Sequence, residues 1–237
     1  MRYLLLIAFI VLNSFYSPVS SNSQGSPLPV SPNSFSDPVT MISEGETLLK
    51  EGDLVVRLNN DPVSRYIKNF SRQDKSYSHA GIVLFENGIP YIYHIVNGEE
   101  NPGEKLRKDL LSSYCAPRKN RAFGIFRYDM NDKEIKKLKE VITGWYAKGI
   151  QFETAFNLKT DDKMYCSEMV MKALVKATRK RILIETVKPT AAEAGVLSVH
   201  LRLPFAYTNS IRVVPIDNLY LNPSCHMIKE YNFKPNK

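Results

Sequence analysis

The chain has 237 residues, 43% apolar and 24% charged, which is enough for one globular domain with an ordinary core. That balance excludes an intrinsically disordered chain and a multi-pass membrane protein. The formal net charge of +8 suits an anionic surface such as membrane lipid or cell-wall polymer, and equally suits solvated lysines. No nucleic-acid-binding motif accompanies it.

Residues 1–21 read as a signal peptide. Met1-Arg2 supplies a short positive region, Tyr3 to Leu12 an unbroken apolar run, and Val19-Ser20-Ser21 a small-residue cleavage region. The run is shorter than the roughly 20 residues a spanning helix needs, and an uncleaved anchor is the alternative. No cysteine adjoins the cleavage region, which excludes a lipoprotein anchor. Residues 22–40 are rich in Ser, Pro and Asn and read as a disordered linker, so the folded domain is placed at 41–237. This reading makes the protein exported, periplasmic or extracellular, and membrane-associated if the segment stays attached.

Glu44 to Leu49 reads as a short helical turn. Asp53 to Leu58 is a strand following the Glu51-Gly52 turn. Pro62 to Phe70 is helical, with Val63, Tyr66, Ile67 and Phe70 at helical spacing. His79 to Phe85 and Pro90 to Val96 are β-rich runs around Glu86-Asn87-Gly88-Ile89. Asn-Gly is a strong hairpin signal, because a type I′ turn needs positive φ at both central residues. Residues 97–120 are polar and irregular, with a short helix near Leu106 to Leu111. Ala122 to Tyr128 is a strand. Asn131 to Lys148 is a helix opened by an Asn131/Glu134 capping box and closed by Gly149. A second helix begins at Cys166, with Met169, Val170, Ala173, Leu174 and Ala177 as its apolar face. Pro189 to Ala194 opens a further helix, and Ile211 to Ile216 is the last expected strand.

The hairpin carries chemistry. With Asn87-Gly88 as a two-residue turn, Gly81 faces His94 and His79 faces Val96. The two imidazoles then share a face as diagonal neighbours, roughly 7–8 Å apart at Cα, and a one-residue slip would separate them. One could act as a base while the other fixes its tautomer; each could instead be an ordinary strand histidine. Gly81 leaves room beside them. Cys166 lies at a helix start, where the dipole and unpaired N–H groups stabilise a thiolate and can hold an oxyanion. A buried core cysteine is the plainer reading. A Cys/His/His zinc site would have only three protein ligands, at spacings that match no common zinc motif. Of the three cysteines, Cys115, Cys166 and Cys225, at least one is unpaired within the monomer, and a Cys115–Cys225 disulfide is open to an exported chain. His200 and His226 read as structural or surface residues.

Several segments together resemble the YiiX/YaeF-like, circularly permuted papain-like cysteine hydrolases, relatives of NlpC-type cell-wall peptidases and of lecithin:retinol acyltransferase. They are Glu51-Gly52-Asp53-Leu54-Val55, Tyr77-Ser78-His79-Ala80-Gly81-Ile82-Val83, Tyr93-His94, the stretch from Gln151-Phe152-Glu153 to Tyr165-Cys166-Ser167-Glu168, and the tail around Val214-Pro215 and Leu219-Tyr220. The permuted order puts the histidine strand before the cysteine helix. The resemblance implies an α+β fold, a small antiparallel sheet or partial barrel packed against the nucleophile helix. It implies Cys166 as nucleophile, His79 as base and His94 as the residue that orients it. Tyr165 becomes an oxyanion or substrate contact, and Asp53 and Ser78 are placed along the cleft. No metal or cofactor is implied. The reaction would cleave an amide or ester through a thioester, on peptide or acyl-containing substrates, of the cell wall or membrane-associated. A lipid-directed acyl hydrolase or acyltransferase is a second reading, and a non-catalytic ligand-binding module on the same fold a third. The oligomeric state is not legible.

Overall fold

The computed structural model describes residues 37–96, 98 and 101–233. The signal segment and the linker up to residue 36 lie outside the described residues. The linker reading ends early. Asp37 accepts the Val39 N–H at 3.1 Å and Pro38 fills the first helical position, so helix α1 runs Pro38–Leu48.

Strand β1 (Leu54–Asn59) leads into helix α2 (Pro62–Ile67), continued by a 3₁₀ turn at Lys68–Phe70. Strands β2 (His79–Glu86) and β3 (Ile89–His94) form the expected hairpin. Asn87 and Gly88 have φ of 51° and 81°, as a type I′ turn requires. Then come β4 (Arg107–Asp109), α3 (Leu111–Tyr114), β5 (Asn120–Tyr128) and α4 (Asp132–Lys148). The Asn131/Glu134 capping box forms, and Gly149 ends α4 in the left-handed region. The short strands β6 (Gln151–Phe152) and β7 (Lys163–Met164) pair in parallel. Helix α5 (Cys166–Ala177), then α6 (Ala191–Leu201), α7 (Phe205–Thr208), α8 (Asp217–Tyr220) and β8 (Cys225–Asn232) complete the order.

The main sheet has six strands in the order β4-β3-β2-β1-β5-β8, and every pair is antiparallel. Alternation along β1 splits the core. Leu54 and Val56 join the cluster of Leu138, Ile142, Met169, Val170 and Leu174 from α4 and α5. Val55 joins Ile42, Leu111, Tyr114, Phe123 and Ile125 on the other side. The result is an α+β arrangement, with the Cys166 helix laid on the sheet. No helix of the described residues is long and apolar enough to cross a membrane.

Two expectations are corrected. The helix near Leu106 to Leu111 is instead the edge strand β4 followed by α3, because Arg107–Asp109 extends the hairpin by pairing with β3. Ile211 to Ile216 is not a strand but a buried segment with a single bridge, Val187 to Val213; burial explains its apolar residues, and Pro215 cannot donate to a ladder. The last strand is β8, which pairs with β5 through a bulge at Ile125/Phe126. All three cysteines are free thiols, with Cys115 buried in the second cluster and no disulfide to Cys225.

Candidate active site

Cys166 opens α5, and both its neighbours grip one residue across the chain. The Tyr165 phenol accepts the Val214 N–H at 2.9 Å, and the Ser167 hydroxyl donates to the Val214 carbonyl at 2.7 Å. Glu168 reaches back to accept the Tyr165 N–H at 3.3 Å. The helix start is therefore pinned on either side of the thiol. The backbone N–H groups of Ala80, Ser167 and Cys166 itself lie near enough to the sulfur to favour its thiolate. Burial still dominates: it pushes the thiol up to about 11, against the downward pull of those N–H groups and of the Arg57 charge.

Ala80 follows His79 on β2, so the sulfur lies one residue from the first imidazole. His79 and His94 meet as the hairpin register requires. Ile82 pairs with Tyr93, which brings Gly81 and His94 opposite one another at the next position. His79 Nε2 and His94 Nδ1 are 2.9 Å apart, with the rings edge to face at 87°. Gly81 is required here, because a Cβ on it would stand 2.6 Å from Ile92 Cγ2 and 3.1 Å from His94 Cβ. Both imidazoles pack on Tyr114, at centroid distances of 5.7 and 4.8 Å. Burial, then the Arg57 charge, then His94 hold His79 well below the usual histidine range. His94 is lowered to about 4, by burial first, with its Asp109 hydrogen bond resisting and Arg57 adding to the fall. Among the described residues, no hydrogen bond joins the Cys166 thiol directly to His79.

Asp109, which the sequence reading left in an irregular segment, completes the group. Its Oδ2 lies 2.8 Å from His94 Nε2, and its Oδ1 accepts from Arg107 Nη2 at 2.5 Å. Burial would raise this carboxyl, but the bonds from His94 and Arg107 outweigh it and leave it at about 2. Arg57 was also missed. It pairs with His79 across β1 and β2, donates to the Tyr114 carbonyl and covers the Tyr114 ring at 4.4 Å.

The remaining expected residues take structural posts. Tyr165 is buried, with its oxygen bonded to the Val214 N–H and its ring against Phe156 at 4.8 Å, so it braces the helix start. Asp53 does not line the cleft. It is fully buried at the opposite end of β1, held by Arg127 through two bonds of 2.7 and 2.8 Å and by the Lys50 N–H. Ser78 accepts the Asn59 N–H at 3.3 Å and donates to the Arg57 carbonyl, clamping β2 to β1.

A helix-borne cysteine that follows its strand-borne histidine in the chain, laid on an antiparallel sheet, defines the permuted papain-like class. Residues 48–216 match the family described as permuted papain-like amidase enzyme, YaeF/YiiX, C92 family, and the chain belongs to it. Among solved structures it is similar to the crystal structure of yiiX from Escherichia coli O157:H7, described as a metalloprotein. The TM-score is 0.62 at 18% identity, covering 77% of this chain and 97% of that one. No curated protein matches. The residues here do not fit a metal ion: among the described residues no group of three or more His, Cys, Asp or Glu side chains could hold one. Three of the four imidazole nitrogens of His79 and His94 are engaged, with each other and with Asp109, which leaves a single nitrogen and no set of ligands.

Proposed function

We propose that this amidase-family chain is an exported cysteine hydrolase that cleaves an amide bond, in peptide of the cell-wall type, through a thioester on Cys166. The observation that carries the reading is the placement of the sulfur. It feels the backbone N–H groups of Ala80 and of the first residues of α5, and Ala80 adjoins an imidazole whose Nε2 is already bound to a second one.

With His79 Nε2 taken up by His94, Nδ1 is the nitrogen left for the thiol. A thiol pushed up to about 11 and an imidazole held below its usual range rest as a neutral pair. Proton transfer therefore accompanies attack, as in general-base catalysis. The Cys166 proton passes to His79 Nδ1 while sulfur bonds to the carbonyl carbon. The oxyanion is met by N–H groups at the start of α5. The imidazolium returns the proton to the leaving amine, and the C–N bond breaks to leave the thioester. His79 then deprotonates water, which attacks the thioester; the acid departs and the thiol is restored. The basic net charge and the apolar N-terminal run support a substrate outside the cytoplasm.

Iodoacetamide labelling from pH 5 to 10 tests this. Cys166 should label ahead of Cys115, and its rate should climb through the alkaline range rather than level off near pH 6, as an ion pair would. Cys166→Ser should lose amide hydrolysis by about 10³-fold or more, and His79→Ala should slow Cys166 labelling at pH 7. Labelling at Cys166 that ignores His79→Ala would refute the assignment.

A further inference from the structure

We infer that Asp109 is a positioning residue for Cys166 chemistry: through two successive hydrogen bonds it fixes the tautomer of His94 and then of His79, leaving His79 Nδ1 bare toward the thiol. This rests on the Cys166/His79 reading above and goes beyond it by naming what makes His79 a base.

The argument follows the protons. An ionised carboxylate only accepts. Asp109 takes Arg107 on one oxygen, so its other oxygen must accept from His94 Nε2 at 2.8 Å. His94 therefore carries its proton on Nε2. A neutral imidazole has a single N–H, and His94 is held neutral at pH 7, lowered to about 4 chiefly by burial. Its Nδ1 is then an acceptor, and it faces His79 Nε2 at 2.9 Å. His79 must supply the proton of that bond, which places its own N–H on Nε2 and its lone pair on Nδ1. Reversing the direction at Asp109 reverses every bond after it. The last nitrogen would become a donor and could not accept the thiol proton.

Strand β4 aims the carboxylate. Arg107 pairs with His94 and Asp109 with Ile92, so Asp109 reaches His94 as a diagonal neighbour while the Arg107 side chain holds its second oxygen. Arg107 has donors only. In Asp109→Asn the amide oxygen would turn to Arg107, and the NH₂ would face His94 Nε2, which would then have to accept. That substitution changes almost no volume and inverts the relay.

Long-range ¹H–¹⁵N correlation spectra of the histidine rings test this on the unaltered protein at pH 7. Both His79 and His94 should be Nε2–H tautomers; finding either as Nδ1–H overturns the inference. In Asp109→Asn both should switch to Nδ1–H. Cys166 labelling by iodoacetamide at pH 7 should fall to the His79→Ala level, and kcat for amide hydrolysis should fall about 10²-fold or more with KM little changed. Asp109→Glu, which keeps the acceptor, should restore the Nε2–H tautomers and most of the labelling rate. Switched tautomers with labelling within twofold of the parent would also overturn it. The two readings fail separately. Unswitched tautomers sink the relay and leave Cys166 and His79 intact. Labelling indifferent to His79→Ala sinks the thiol–imidazole pair, whatever the tautomers do.

Discussion

Strand β1 buries a charged residue near each of its ends, and the two are used differently. Beside its first residue lies Asp53, fully buried, with Arg127 on both oxygens and the Lys50 N–H on one of them. That group is closed: an acid, a base and a backbone donor, with no imidazole among them. Toward the other end Arg57, 2% exposed, stands across from His79 and against Tyr114. Its charge lowers both histidines after burial has done so, and it pulls the Cys166 thiol down. A buried charge by itself therefore marks structure as readily as function. What separates the two ends is that the Arg57 charge stands beside a pair of joined imidazoles.

Three substitutions sharpen this contrast. Asp53→Ala should cost about 3 kcal/mol in denaturant unfolding, because it breaks a buried pair from one side. It should leave the rate of Cys166 labelling unchanged; a loss of labelling matching the loss of stability would break the contrast. Gly81→Ala should cost about 1–3 kcal/mol by overpacking. Its effect should be read mostly at the imidazoles, since the new methyl meets His94 Cβ at 3.1 Å and Tyr93 O at 3.0 Å. Slower labelling and a disturbed His79–His94 bond in ring ¹⁵N shifts are the expected outcome. Ser78→Ala should have the smallest effect, about 1 kcal/mol for the lost bond to the Asn59 N–H. Unchanged kcat and KM would confirm it as a clamp between strands; a KM rise would return it to the cleft.

The readable parts of the site are those under local geometric control. Asn87-Gly88 fixes the turn, the turn fixes the register, and the register brings His79 to His94, so one dipeptide encodes a contact between residues 15 apart. The start of α5 was readable from the apolar stripe of Met169, Val170, Ala173 and Leu174. Asp109 was not, because a three-residue edge strand of Arg, Lys and Asp has no alternation to detect and is defined only by pairing with β3. Strand β8 was hidden for a related reason. It is an edge strand whose largely exposed residues and bulge blur the period of two. The segment Ile211 to Ile216 misled in the opposite direction: it is apolar because it is buried, and its Val214 serves as the post that Tyr165 and Ser167 grip. Asp53 was misplaced because sequence order says which strand an acid begins and not which end of the sheet carries the chemistry.

The permuted chain order has a consequence for synthesis. Cys166 follows His94 by 72 residues, so a ribosome delivers the histidine hairpin long before the thiol. The hairpin closes through local pairing and can assemble while the rest is still being made. The cysteine helix docks on β2 only after α4 has been made, and its start is not secured until Val214 arrives to be held by Tyr165 and Ser167. A chain interrupted anywhere before residue 166 holds the paired imidazoles and lacks the thiol. The ordering of the segments thus acts as a delay, keeping the Cys166 sulfur out of its setting until nearly all of the domain exists to enclose it.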